Sequence, residues 1–159
     1  MIQVTVITVG SLKESYWREA LAEYEKRLAA FCKLNVLQLK EARVGDDPSE
    51  GEIKAALADE GKRILETMPP RSYRIALCVE GKQFSSEALT KKLETVLAEN
   101  GTLCLVIGSS HGLSDEVKNA CQLRLSVSEL TFPHQMMRVL LLEVLYRSFS
   151  IIKGTKYHK

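Results

Sequence analysis

The stretch TLCLVIGSSHGL, Thr102 to Leu113, decides how the rest of the chain is read. Leu103 to Ile107 is apolar at every position, without the alternation of a strand that has one wet face. A continuous apolar run closed by a glycine reads as a strand buried on both faces. Upstream, a helix runs from Ser86 to Asn100 and is closed by Gly101, the residue type that best takes the left-handed C-terminal position. YRIALCVEG, Tyr73 to Gly81, reads as another strand, and MPPR before it breaks the preceding helix. That helix has a capping box in Ser49 and Glu52 and turns Ile53, Leu57, Ile64 and Leu65 inward. EARVGDDPSEGE, starting at Glu41, is the most loop-like segment.

Nearer the N-terminus, IQVTVITVG and LNVLQL (Leu34–Leu39) read as two further strands. Ser11 with Glu14 offers a capping box for the helix between them, whose inward face would carry Leu12, Tyr16, Trp17, Ala20, Leu21, Tyr24 and Leu28. Downstream of the opening stretch, Ser114 caps a short helix with Asp115 and Glu116 in its first turn, where acids suit the dipole. LRLSVSEL, from Leu123, reads as a weaker fifth strand. LTFPHQMMRVLLLEVLYRSFSI, from Leu130, carries the last helix, with Pro133 at its start. Strands and helices alternate five times, which predicts an α/β fold with a mostly parallel sheet and helices on both faces. No linker or repeat divides the chain, so residues 1–159 form one domain.

Composition narrows the function classes. Hydrophobic residues make up 45% and charged residues 26%, which suits a chain with a packed core rather than a disordered one. No run approaches the ~18 consecutive apolar residues of a membrane span. The N-terminus lacks a basic region and a small-residue cleavage site, so no signal peptide is expected and the expected compartment is the cytoplasm. Cys32, Cys78, Cys104 and Cys121 show no CxxC spacing, so neither a disulfide framework nor a metal site is expected, and Cys78 and Cys104 read as core residues. Residues 1–100 hold 15 basic and 16 acidic side chains, whereas residues 101–159 hold 7 and 4. The stretch from Arg147 onward has four basic residues and no acid, a tail able to meet an anionic partner; the plainer reading is a solvated end.

In open α/β sheets, ligands sit beyond the carboxyl ends of the strands. The loops Val79–Gly81, Gly108–Leu113 and Ser128–His134 are therefore the candidates, and none matches a phosphate-binding motif. His134 follows Pro133 at the helix start, where the positive dipole end disfavours protonation. A neutral imidazole there could accept a proton; the plainer alternative is an exposed or capping histidine. The helix behind it is apolar on more than the ~100° stripe that one sheet face requires, so a second surface, most simply another protomer, is expected to cover the rest.

Together these elements resemble the RlmH-type SPOUT methyltransferases along the whole chain. The specific blocks are GL after the glycine loop, LTFPHQMMRVLLLE, LYRSFSII and the terminal KYHK. The resemblance implies a deep C-terminal trefoil knot, which connection rules alone argue against. It also implies a homodimer that uses S-adenosylmethionine to methylate N3 of a pseudouridine in 23S rRNA within the ribosome. Carried over by motif, the cofactor pocket would use Leu77, Gly108 and the run Val127, Ser128, Glu129, Leu130, Thr131 and Phe132. The cofactor brings an activated methyl group, so the protein mainly supplies alignment and excludes water. His134 is the leading candidate to help remove the imide proton. Arg138, one turn on, could stabilise the deprotonated ring or grip a phosphate. Tyr157 and His158 lie on the basic tail, which could fold over the nucleotide from either protomer.

One residue departs from the family pattern. Ser109 stands where a second glycine is usual, and it would be strained if that position required positive φ. His111, in the same loop, reads as exposed. The rival to an enzyme is a non-catalytic ribosome-binding factor that keeps the fold; a generic nucleotide-binding α/β enzyme lacks a phosphate motif.

Overall fold

The structure is a computed structural model that describes residues 1–157. Five strands, β1 (Ile2–Val9), β2 (Cys32–Leu39), β3 (Tyr73–Lys82), β4 (Thr102–Ile107) and β5 (Leu123–Leu125), form one sheet in the order β2-β1-β4-β3-β5. Every pairing is parallel. The helices are α1 (Ser15–Leu28), α2 (Glu50–Thr67), α3 (Ser86–Asn100), α4 (Asp115–Asn119) and α5 (His134–Ile152).

Both faces of the sheet are covered, as the unbroken apolar run of β4 requires. Leu103, Cys104, Leu105 and Val106 are each at most 1% exposed. On one face, α5 lies between α1 and α3, and Leu141, Leu142, Leu145 and Phe149 meet Val4, Val6, Leu103 and Leu105. On the other, α2 and α4 cover Ile7, Val9, Cys104 and Val106. Among the described residues, no helix is long and apolar enough to cross a membrane.

Local signals set most boundaries. Ser49, Ser85 and Ser114 each accept an N–H from the third residue beyond through the side-chain oxygen, and Gly101 closes α3 at φ +67°. The box expected from Ser11 and Glu14 is not formed: α1 starts at Ser15, and Glu14 caps it without a side-chain hydrogen bond. Tyr16 is 60% exposed and Leu65 37% exposed, so neither belongs to the inward face assigned to it. The fifth strand is short because the chain leaves the ladder after Leu125 to build a loop. Strand β2 begins at Cys32, two residues before its expected start, because Cys32 is in register with Ile2.

The apolar surplus of α5 is largely absorbed within the chain. No residue from His134 to Ile152 is exposed, since α1 and α3 flank the helix while the sheet lies beneath it. A stripe carrying Met136, Leu140 and Ile151 remains half-buried outside the core cluster.

Candidate functional site

Chain direction places the carboxyl ends of β3, β4 and β5 side by side, and these ends enclose a cleft of about 440 Å³. That lies within the ~300–1,000 Å³ usual for small-molecule sites.

One wall comes from an arch in β3. Leu77 is in register with Leu125, and Lys82 is in register with the same residue, so the four residues between them leave the ladder. Leu77, Cys78 and Val79 thereby face the cleft. Gly81 makes the return possible: a Cβ there would sit 2.7–2.8 Å from the backbone of Arg124 and Leu125.

The second wall is the loop after β4. Ser109 bridges Gly112, whose N–H donates to the Ser109 carbonyl at 2.9 Å. The fold-back is so close that a Cβ on Gly108 would lie 2.1 Å from the Gly112 carbonyl oxygen. Glycine at 108 is thus required by the loop itself and not only by space in the cleft. Ser109 is unstrained, because Arg71 is the non-glycine residue with positive φ among those described. Its hydroxyl donates to Glu60 Oε1 at 3.1 Å.

The third wall follows β5 and is shaped by its own side chains. Ser126 Oγ donates to the Ser128 carbonyl, and Ser128 Oγ accepts the Leu130 N–H, both at 3.0 Å. Val127, Ser128, Leu130, Thr131, Phe132 and Pro133 line the cleft, and His134 and Met137 at the start of α5 complete it. Of the predicted cofactor positions, Glu129 alone is not on the lining; it is exposed.

His134 is half-buried, and its pKa is lowered. Burial is the largest cause, the Arg138 cation adds to it and Glu41 opposes it. The imidazole is therefore held toward neutrality by burial and a neighbouring charge, in the direction expected from the helix dipole. Arg138 does not line the cleft. It is 3% exposed, and its Nη2 donates to the carbonyls of Val9 at 2.7 Å and Gly10 at 2.9 Å. Tyr157 is also apart from the cleft: its hydroxyl donates to Glu143 Oε2 at 2.8 Å, and its ring packs edge-on against Tyr146. Glu143 is nine residues from His134, or ~13.5 Å along the helix axis. His158 lies outside the described residues. His111 is exposed and off the lining.

A family model described as "Predicted SPOUT methyltransferase" matches residues 2–158. The chain belongs to the SPOUT methyltransferase family. SPOUT methyltransferases generally use S-adenosylmethionine. The cleft of this methyltransferase fits such a group: Leu77, Leu125, Phe132 and Met137 offer apolar surface, while Ser110, Ser126 and Thr131 offer hydroxyls beside it. Among the described residues, no cluster of His, Cys, Asp or Glu could hold a metal ion.

Sequence reading missed Cys78, Ser126 and Met137 on the cleft walls, all within a few residues of the predicted loops. It also missed Glu60, whose signal was available. Leu57 and Ile64 mark the inward face of α2, and Glu60 lies between them at helical spacing.

Proposed function

We propose that this SPOUT methyltransferase transfers the methyl group of S-adenosylmethionine to N3 of a pseudouridine in 23S rRNA, acting on the ribosome as a homodimer. The observation that carries the reading is the position of His134, a half-buried imidazole held toward neutrality on the wall of the strand-end cleft. The motif blocks LTFPHQMMRVLLLE and KYHK support the choice of substrate by resemblance, and the knotted fold belongs to the same reading.

When bound, S-adenosylmethionine supplies an activated methyl group that needs no further activation by the protein. The chain's own residues receive it and exclude water. Leu77, Gly108 and the Val127–Phe132 loop form the walls. Glu129, exposed beside them, is kept as a rim contact. His134 accepts the imide proton of the target base on its neutral ring nitrogen, which leaves the N3 electron pair free to take the methyl group. Arg138 sits one turn behind, fixing the start of α5 to the end of β1 and disfavouring an imidazolium. Tyr157 is engaged with Glu143 of its own chain, so a tail reaching the nucleotide beside this chain's His134 is supplied from the partner. His158 is assigned to the same tail. The half-buried stripe at Met136, Leu140 and Ile151 is the part of α5 assigned to the dimer contact.

The deciding experiment is methyl transfer from labelled cofactor to ribosomes that carry or lack the target pseudouridine. Label should enter 23S rRNA only where the pseudouridine is present. Equal labelling of both ribosomes overturns the substrate, and a stable monomer in sedimentation at micromolar concentration overturns the dimer. The rival, a non-catalytic ribosome-binding factor, rested on Ser109. The unstrained backbone and hydrogen-bonded hydroxyl of Ser109 remove its main support.

A further inference from the structure

The side chain of Glu60 is buried in the middle of α2 at 4% exposure, on a helix face otherwise lined by Leu57, Gly61 and Ile64. Among the described residues, no cation lies within ion-pair distance of it. A carboxylate so placed is costly to desolvate, and an apolar residue would pack there without that cost. Both of its oxygens are nevertheless used. Oε1 accepts from the Ser109 hydroxyl at 3.1 Å, and Oε2 accepts from the Ala42 N–H at 2.9 Å. The two donors belong to different loops: Ser109 is in the wall of the cleft, and Ala42 follows β2.

The geometry points to Glu60 as a positioning residue that ties these two loops together and holds the Gly108–Gly112 wall ready for the cofactor. This rests on the cofactor reading of the cleft given above. The wall is a short fold-back closed by one bridge, from Ser109 to Gly112. Toward the body of the protein the wall is held by the Leu113 side chain, buried in the core with Ile64 of α2, and by the polar tie of the Ser109 hydroxyl to Glu60. A wall already fixed loses less conformational freedom when a ligand binds, so the tie is read out as affinity. Glu60 touches no ligand itself; it acts through Ser109.

The test is calorimetric titration of the full chain with S-adenosylmethionine, well below the melting temperature, for wild type, Glu60→Ala, Glu60→Gln, Ser109→Ala and the double alanine variant. Glu60→Ala and Ser109→Ala should each weaken binding by about tenfold, a loss of about 1.4 kcal/mol. The double variant should bind no worse than Glu60→Ala alone, since both changes remove one tie. Glu60→Gln should stay within about threefold of wild type, because its amide oxygen still accepts from Ala42 and its amide nitrogen reaches the Ser109 oxygen. A merely structural glutamate would lower the melting temperature without this coupling or this rescue. Folded Ser109→Ala within twofold of wild type, or losses that add in the double variant, overturns the proposal. If Glu60→Ala fails to fold, Ser109→Ala and Glu60→Gln decide the question in the same way. Wild-type protein that takes up no S-adenosylmethionine overturns the reading of the cleft instead, and this proposal with it.

Discussion

Arg138 and Glu60 are buried charges of opposite sign near the same end of the sheet, 3% and 4% exposed. Neither has an ion-pair partner among the described residues. Arg138 reaches from α5 on one face to the carbonyls that end β1, and Glu60 reaches from α2 on the other face to the loops after β2 and β4. Each supplies the hydrogen-bonding partner that backbone or hydroxyl groups lose where the ladder stops. They differ in what they leave over. Glu60 uses both oxygens, whereas Arg138 keeps a buried Nε without a hydrogen-bond partner. Glu41 Oε2 and Arg138 Nη2 stand on the same side of Gly10, 3.2 and 3.8 Å from where its Cβ would lie. The Arg138 charge also lowers the pKa of His134. The anion is a mechanical tie, and the cation is a tie that also sets the charge state of a neighbour.

The contrast is broken most severely at the neighbour. His134→Ala should lower single-turnover methyl transfer on ribosomes by ~10²–10⁴-fold at saturating cofactor, the usual range for acid–base assistance. Cofactor affinity should change far less. Full activity in the alanine variant would make His134 a helix-start residue with no chemical duty.

Arg138→Met keeps most of the side-chain volume and removes both hydrogen bonds to the β1 carbonyls. Bonds to a charged donor contribute ~1.5–3 kcal/mol, so urea unfolding should show a loss of about 2 kcal/mol with an unchanged denaturant slope. The same variant separates the two duties of the arginine. In wild type, NMR titration should place the His134 pKa below its ordinary value of 6.5, and in Arg138→Met it should rise. The sign follows from linkage. A depressed folded-state pKa means that the unfolded chain binds the proton more readily, so this group's contribution is present above 6.5 and is lost as pH falls through the folded value. An unmoved His134 titration would reduce Arg138 to a tie like Glu60.

Gly108→Ala tests the loop that Glu60 holds. The added Cβ meets the Gly112 carbonyl, so the backbone has to shift. A cost of ~1–3 kcal/mol in stability is expected from such crowding, accompanied by weaker cofactor binding. Unchanged affinity in a folded variant would mean that the wall does not contact the cofactor.

The smallest effect is expected at the far end of α5. Tyr157→Phe removes one hydrogen bond to Glu143 while its ring can stay on Tyr146, so about 0.5–1 kcal/mol is expected from thermal unfolding. A larger loss would show that the Tyr157–Glu143 contact holds the end of the chain more firmly than one part-buried hydrogen bond does.

The sequence by itself determined the elements and their layering. The apolar run of β4, the serine caps at Ser49 and Ser114 and the closing Gly101 are local features, and local periodicity and capping chemistry are enough to read them. The alternation of strands and helices also placed three loops, Val79–Gly81, Gly108–Leu113 and Ser128–His134, at one end of a parallel sheet, so much of the cleft was legible in the sequence, and the family resemblance added Leu77 and Val127. Tertiary structure decided what was non-local. The arch of β3 depends on where Leu125 arrives, and the requirement for glycine at 108 depends on Gly112 folding back onto it. Arg138 reads from sequence as a group free to meet substrate, but its hydrogen bonds reach back 128 and 129 residues to β1. Glu60 reaches 49 residues forward to Ser109. The surplus apolar surface of α5 read as demanding a partner, and α1 and α3 of the same chain cover two of its sides. Periodicity shows which face of a helix must be buried, but not which surface buries it, because that depends on how the whole chain closes around the sheet.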